Sequence, residues 1–126
     1  MTTPELALLI VAGGIGAGLR FLVDRAVSGA RSAQAFPVGI LLVNVSGSFA
    51  LGLIAGLGDL VPEPWLSALG IGLLGGFTTF STVSVDSARF AREGRRDWAW
   101  LNLLGTFGAC IVAASTGLVL GGIRLG

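Results

Sequence analysis

The side chains in this sequence that could do chemistry are hydroxyls, amides and aromatic rings, and the polar ones gather at two places. Thr78, Thr79, Ser81, Thr82 and Ser84 crowd together directly after Gly75 and Gly76. Asn44, Ser48, Gly52 and Gly56 recur at four-residue steps, so on a helix they share one face with Asn44 as its polar end. An amide offers two N–H donors and a carbonyl, and a hydroxyl both donates and accepts. Such groups could line a path for an ion or clamp two helices together, and Asn44 suits either use. The missing residue types narrow the field. Histidine is absent, Cys110 is the single cysteine, and all seven carboxylates fall in loops or near helix ends. A zinc centre and a His-assisted triad both lack their parts, and no disulfide can form within the chain. The protein is expected not to be an enzyme, with Cys110 serving as a small core residue.

The elements that must position these groups follow from hydropathy. Hydrophobic residues make up 53% of the chain, charged residues only 12%, and the mean hydropathy is +0.87, whereas soluble domains carry about 25% charge. Residues 32–58, 64–85 and 98–123 contain no charge at all. Each run is long enough to cross a hydrocarbon core of about 30 Å, which takes about 20 helical residues. The first uncharged run, residues 6–19, stops at Arg20, but Phe21, Leu22 and Val23 resume the pattern. Glu5 precedes it where a signal peptide would carry basic residues, and no small-x-small cleavage site follows. The expected fold is an all-α integral membrane protein, one domain over residues 1–126. Its four transmembrane helices are expected at about 5–27, 36–58, 64–87 and 98–123.

Glycine supplies 21 of the 126 residues, against a usual share of about 7%, so the helices are expected to approach closely. The pairs Gly14/Gly18 and Gly117/Gly121 have the four-residue spacing that permits this. Gly75 and Gly76, followed by β-branched threonines, make a weak helix centre. The third helix is therefore expected to break or kink near its middle, where hydroxyls can satisfy freed backbone groups. Broken helices at membrane depth usually set backbone groups around an ion. Trp65, Trp98 and Trp100, at helix ends, read as interfacial anchors.

Three motifs add a resemblance: Gly13-Gly14-x-Gly16-Ala17-x-x-Arg20-Phe21, Val43-Asn44-x-x-Gly47-Ser48-Phe49, and the continuous run Gly75-Gly76-Phe77-Thr78-Thr79-Phe80-Ser81-Thr82-Val83-Ser84. Together, over nearly the whole chain, they resemble the Fluc, or CrcB, fluoride channels. The resemblance implies a passive, fluoride-selective channel subunit of the inner (plasma) membrane that exports cytoplasmic fluoride and so confers fluoride resistance. It further implies an antiparallel, dual-topology dimer with ion pathways between the subunits and a structural sodium ion at its centre. Its partners would be fluoride, the second subunit and the lipid bilayer, with no nucleic acid. On matching positions it implies Asn44, Phe80, Ser81, Thr82 and Thr106 along the pathway, Arg20 at a vestibule, and the main-chain carbonyls of Gly75 and Thr78 around Na+. The chemistry agrees with these roles. A strongly hydrated anion needs several replacement donors that hold it weakly enough to release it, and the edge of a phenyl ring carries positive potential. Without the resemblance, Phe80 is a core aromatic. Arg20, four residues before Asp24, would then snorkel to the interface and pair there.

The sequence also departs from the family pattern. The second pore phenylalanine falls on Val83, and the fourth-helix track, where the family tends to carry tyrosine and then hydroxyls, reads Asn102, Thr106, Cys110, Ala114. An alternative is therefore a non-conducting or half-conducting partner subunit of a heterodimeric channel, paired with a distinct paralogue. A small four-helix drug exporter is disfavoured, because a proton-coupled transporter normally needs an ionisable group at membrane depth. Charge placement bears on the pairing. Arg25, Arg31, Arg89, Arg92, Arg95 and Arg96 would lie on one side, with Arg20 near it, and Arg124 on the other. Because cytoplasmic loops collect basic residues, both termini are expected outside the cytoplasm. Cysteine-accessibility labelling in the 89–97 loop should then report one orientation in cells; equal labelling from both sides would restore a dual-topology homodimer.

Overall fold

The computed structural model describes residues 2–29 and 36–125; Arg31, one of the basic residues counted above, lies outside them. Among the described residues are four helical stretches long and apolar enough to cross a membrane: Thr3–Ser28, Val38–Leu60, Glu63–Arg92 and Arg96–Ile123. Helix α1 (Thr3–Ser28) starts at a capping box. The Thr2 N–H donates to Glu5 Oε2 at 2.8 Å and the Glu5 N–H to Thr2 Oγ1 at 3.3 Å, which satisfies two of the donors that a helix start leaves free. Gly29, at φ 53°, ends it. Helix α2 (Val38–Leu57) follows Pro37 and ends at Gly58, also at positive φ.

The third span is two helices, α3 (residues 63–77) and α4 (Phe80–Arg92), separated by an extended joint. Thr78 sits at φ −79°, ψ 154° and Thr79 at φ −150°, ψ 122°, so the expected break falls immediately after the glycine pair. Within α3, residues Ala68–Leu74 wind as a wider π-helix, a conformation often found at functional positions. The fourth span, α5 (residues 96–125), has a similar π stretch at Leu101–Gly105.

Helix α2 packs along α5, and α1 packs on α3. Both contacts depend on missing side chains. A Cβ on Gly52 would run into the Ala114 carbonyl, one on Gly117 into the Phe49 carbonyl, and one on Gly121 would stand 2.6 Å from the Leu53 carbonyl. On α1 the close approach is made by Gly16, against the Leu73 carbonyl, and by Gly13, whose carbonyl faces Gly76. Gly14 and Gly18 face open space, so the expected small-residue pair on α1 is not the one that α3 meets. The four-residue spacing identified a possible face without fixing the rotation of the helix.

The interior is polar for its size. Asn44, Thr79, Ser87, Asn102 and Thr106 are buried beside Ile40, Val43, Ala68, Leu74, Val83, Phe90 and Ala99, while Ile10, Val112 and Ile123 point outward. An apolar exterior around a hydrogen-bonded interior is stable in lipid, where the exterior needs no water. Trp65 and Trp100 are exposed, as anchors would be. Trp98 instead packs edge-on against Phe36 and Phe90, at centroid distances of 5.6 and 5.5 Å, with the Arg95 guanidinium 3.6 Å from its ring centroid. It ties the segment just before α2 to the end of α4 and the start of α5.

Candidate functional site

The joint between α3 and α4 is held by one side chain from α2. Asn44 Nδ2 donates to the Thr79 carbonyl at 2.8 Å, and the Thr79 N–H donates to Asn44 Oδ1 at 2.7 Å. A single amide thus satisfies both peptide groups of a residue that the break removes from the helical ladder, and it does so in a buried setting where each would be costly to leave unpaired. Thr79 also caps α4. Its Oγ1 accepts from the Thr82 N–H at 3.3 Å and lies 3.0 Å from Ser81 Oγ and 3.4 Å from Thr82 Oγ1. Thr78 Oγ1 donates back to the Leu74 carbonyl at 3.0 Å.

The break leaves other groups free. In an unbroken helix the Thr79 N–H would go to the Gly75 carbonyl and the Thr82 N–H to that of Thr78; here Asn44 and Thr79 Oγ1 take those donors. The Gly75 and Thr78 carbonyls thereby lose the donors that an unbroken helix would give them. Two carbonyl oxygens released at one joint suit a hard cation, which prefers oxygen ligands. A Cβ on Gly75 would meet only the Gly70 carbonyl, at 3.8 Å.

Beside the joint lies a cleft of about 190 Å³ lined by Asn44, Ser48, Thr78, Thr79, Phe80, Thr106, Phe107 and Cys110. Among the described residues, no charged one lines it. Asn44 has a second amide hydrogen beyond the one given to Thr79. Thr106 is 3% exposed and its hydroxyl has no partner among the described residues, which singles it out, because buried polar groups are nearly always paired. The rings of Phe80 and Phe107 are both more than half exposed on the surface of this chain. The cleft therefore offers neutral donors and ring edges.

Of the residues singled out in the sequence, Asn44, Phe80 and Thr106 meet in this cleft, and Thr78 forms part of its wall. Ser81 and Thr82 lie one step away, joined to it through Thr79. Val83 does not reach it; it is 1% exposed, and its carbonyl accepts from Asn102 Nδ2 at 3.3 Å. Arg20 stands apart from the cleft. Among the described residues it has no ion pair with Asp24, whose carboxylate accepts from Ser28 at 3.1 Å. Sequence reasoning named Thr79 only as one of five clustered hydroxyls and gave it no role, although its N-capping position was an available signal, and it passed over Phe107, which carried none beyond its place beside Thr106. It also left Asn102 without the partner found here, Ser87 Oγ at 3.0 Å.

Residues 7–118 match the family described as CrcB-like protein, Camphor Resistance (CrcB). The chain is 40% identical over 126 residues to the fluoride-specific ion channel FluC 1 of Leifsonia xyli subsp. xyli, covering 98% of this chain and 91% of that protein. It is 42% identical over 117 residues to FluC 1 of Rubrobacter xylanophilus, covering 93% of each. With FluC 2 of Cutibacterium acnes it shares 42% identity over 118 residues, covering 88% of this chain and 92% of that protein.

Proposed function

The chain belongs to the CrcB family of fluoride channels, and from that premise we propose that it is a multi-pass membrane subunit of a passive fluoride-selective channel, with its pathway at the joint between α3 and α4. The observation that supports this pathway is the buried, unpartnered Thr106 hydroxyl facing a cleft of neutral donors. Fluoride entering there would exchange water for the free Asn44 hydrogen, the Thr106 hydroxyl and the edges of Phe80 and Phe107, with Ser81 and Thr82 continuing the donors past Thr79. Neutral donors hold an anion less tightly than a fixed cation would, which favours release. With no coupled proton or second ion, flow follows the gradient, and a negative-inside potential drives an anion outward with about 2.3 kcal/mol per 100 mV.

Thr106→Val tests the pathway. Valine keeps the shape and removes an unsatisfied hydroxyl, so thermal stability should be unchanged or raised. Fluoride efflux should fall by about tenfold, the worth of one hydrogen bond to a charged group. Wild-type efflux in the folded variant would take Thr106 out of the pathway.

The same reading includes an antiparallel dimer centred on the joint, with a structural sodium ion held by the freed Gly75 and Thr78 carbonyls of both subunits. One chain supplies two carbonyls, and a twofold axis would double them. Replacing sodium by choline should lower the melting temperature of the detergent-solubilised dimer and shift it toward monomer without changing anion selectivity. Stability that is indifferent to the cation would reject the sodium site.

A second reading is favoured by Val83, which is buried where the family pattern has a pore aromatic, and by the thinned α5 track at Cys110 and Ala114. The chain would then conduct only beside a distinct paralogue inserted the opposite way, consistent with the one-sided arginines and proposed exterior termini. Relatives named FluC 1 and FluC 2 agree with such pairing. Full efflux from liposomes containing this chain alone would exclude it.

A further inference from the structure

We infer that the groove between α4 and α5 is a binding site for an anionic phospholipid, with the lipid phosphate on Arg96 and an acyl chain lying between the helices. The groove is separate from the cleft at the joint. Its volume is about 470 Å³, and it is lined by Ser84, Ser87, Ala88 and Ala91 on α4 and by Arg96, Ala99, Trp100 and Leu103 on α5. Those positions recur at three- and four-residue steps on each helix, so the groove follows one face of both. On α4 that face carries only Ser and Ala, whose small side chains leave the space open. The residues from 84 to 91 cover about 10 Å of helix axis, enough to lay a segment of hydrocarbon chain along the groove rather than cap it with a single group. The volume lies within the about 300–1,000 Å³ typical of ligand clefts.

Charge decides the occupant. Among the described residues, Arg96 is the one charged residue of the lining, and it stands at the first residue of the fourth span, where the apolar run gives way to the loop. It is exposed and forms no ion pair among the described residues. Nearby, Arg89 is engaged with Asp86 at 3.4 Å and Arg95 with the Trp98 ring, and exposed Arg92 is not part of the lining, so Arg96 is the cation at the mouth. Exposed Trp100 lies one turn inward, the level at which indole rings settle beside headgroups. A free inorganic anion would find one cation and an apolar wall. A phospholipid with a net negative headgroup matches both parts at once, and a zwitterionic one brings a choline cation against a basic loop.

Brominated lipids provide the test, read by tryptophan fluorescence in vesicles and independent of fluoride flux, so the channel reading stands or falls separately. In a Trp65→Phe, Trp98→Phe background, where Trp100 is the sole indole, brominated phosphatidylglycerol titrated into phosphatidylcholine vesicles should quench with an apparent affinity about fivefold above that of brominated phosphatidylcholine, the preference one cation near an anionic surface contributes. Arg96→Gln should abolish the excess and Arg96→Lys should keep most of it. Equal quenching by the two lipids, an excess that survives Arg96→Gln, or a Trp100 shielded from both lipids, as a second copy seated in the groove would produce, overturns the site.

Discussion

Asn44→Asp should stop fluoride flux while the chain still inserts into the membrane. The substitution keeps the size and changes two things at the joint. The Nδ2 donor that meets the Thr79 carbonyl at 2.8 Å becomes an acceptor, and a negative charge enters a cleft proposed to carry an anion. Two like charges 4 Å apart repel by about 4 kcal/mol at an effective dielectric constant of about 20, which corresponds to about a thousandfold loss of flux. Asn44→Ala separates the two uses of the residue. It opens the clasp on Thr79, leaving a buried N–H and a buried carbonyl unpaired at about 1–3 kcal/mol each, but adds no charge. Residual flux in the alanine variant and none in the aspartate variant assigns Asn44 to the pathway. Equal loss in both would leave it as a clasp only, and wild-type flux in folded Asn44→Asp would remove it from the pathway.

The second large effect concerns the fold. Gly52→Leu should prevent recovery of monodisperse protein, because even its Cβ would collide with the Ala114 carbonyl on α5. The backbone of a packed helix cannot yield as the end of a side chain can. Overpacking costs about 1–3 kcal/mol when neighbours adjust, and should cost more here because main chain is what must move. Gly14→Ala is the control. Its Cβ would project into open space, and exchanging glycine for alanine inside a helix favours the helix by about 1 kcal/mol. Circular-dichroism melting in detergent should show this variant at or above the wild type. A Gly52→Leu protein that melts like the wild type would contradict the α2–α5 contact.

The parts of this molecule that could be read from its sequence are those set by local composition. Uncharged runs marked the four spans because the bilayer penalises charge wherever it falls. The joint at Thr78 and Thr79 was foreseeable because two glycines followed by β-branched residues weaken a helix on their own. Partnership across the fold was harder to read. Five hydroxyls after Gly76 were equivalent candidates, and what distinguishes Thr79 is a side chain 35 residues earlier that bonds both of its peptide groups. The face of α1 that packs was misjudged for a similar reason: Gly13 and Gly16 meet α3, while Gly14 and Gly18 have the conventional spacing and face away. Helix rotation is set by the neighbour. Trp98 looked like its sibling Trp100 until Phe36, Phe90 and Arg95 were placed around it. The π-helical stretches at Ala68–Leu74 and Leu101–Gly105 left no clear mark in the sequence.

Anion efflux from liposomes reconstituted with this chain, alone and together with an oppositely oriented relative, tests the central claim most directly. Vesicles loaded with fluoride and chloride are diluted into a medium free of both, with a potassium ionophore balancing charge, and each anion is followed with its own electrode. The proposed function predicts rapid loss of fluoride with chloride retained, in the chain alone or in the pair, and its loss again with Asn44→Asp. Equal release of both anions, or fluoride retained in both preparations when the protein is folded and inserted, would contradict it.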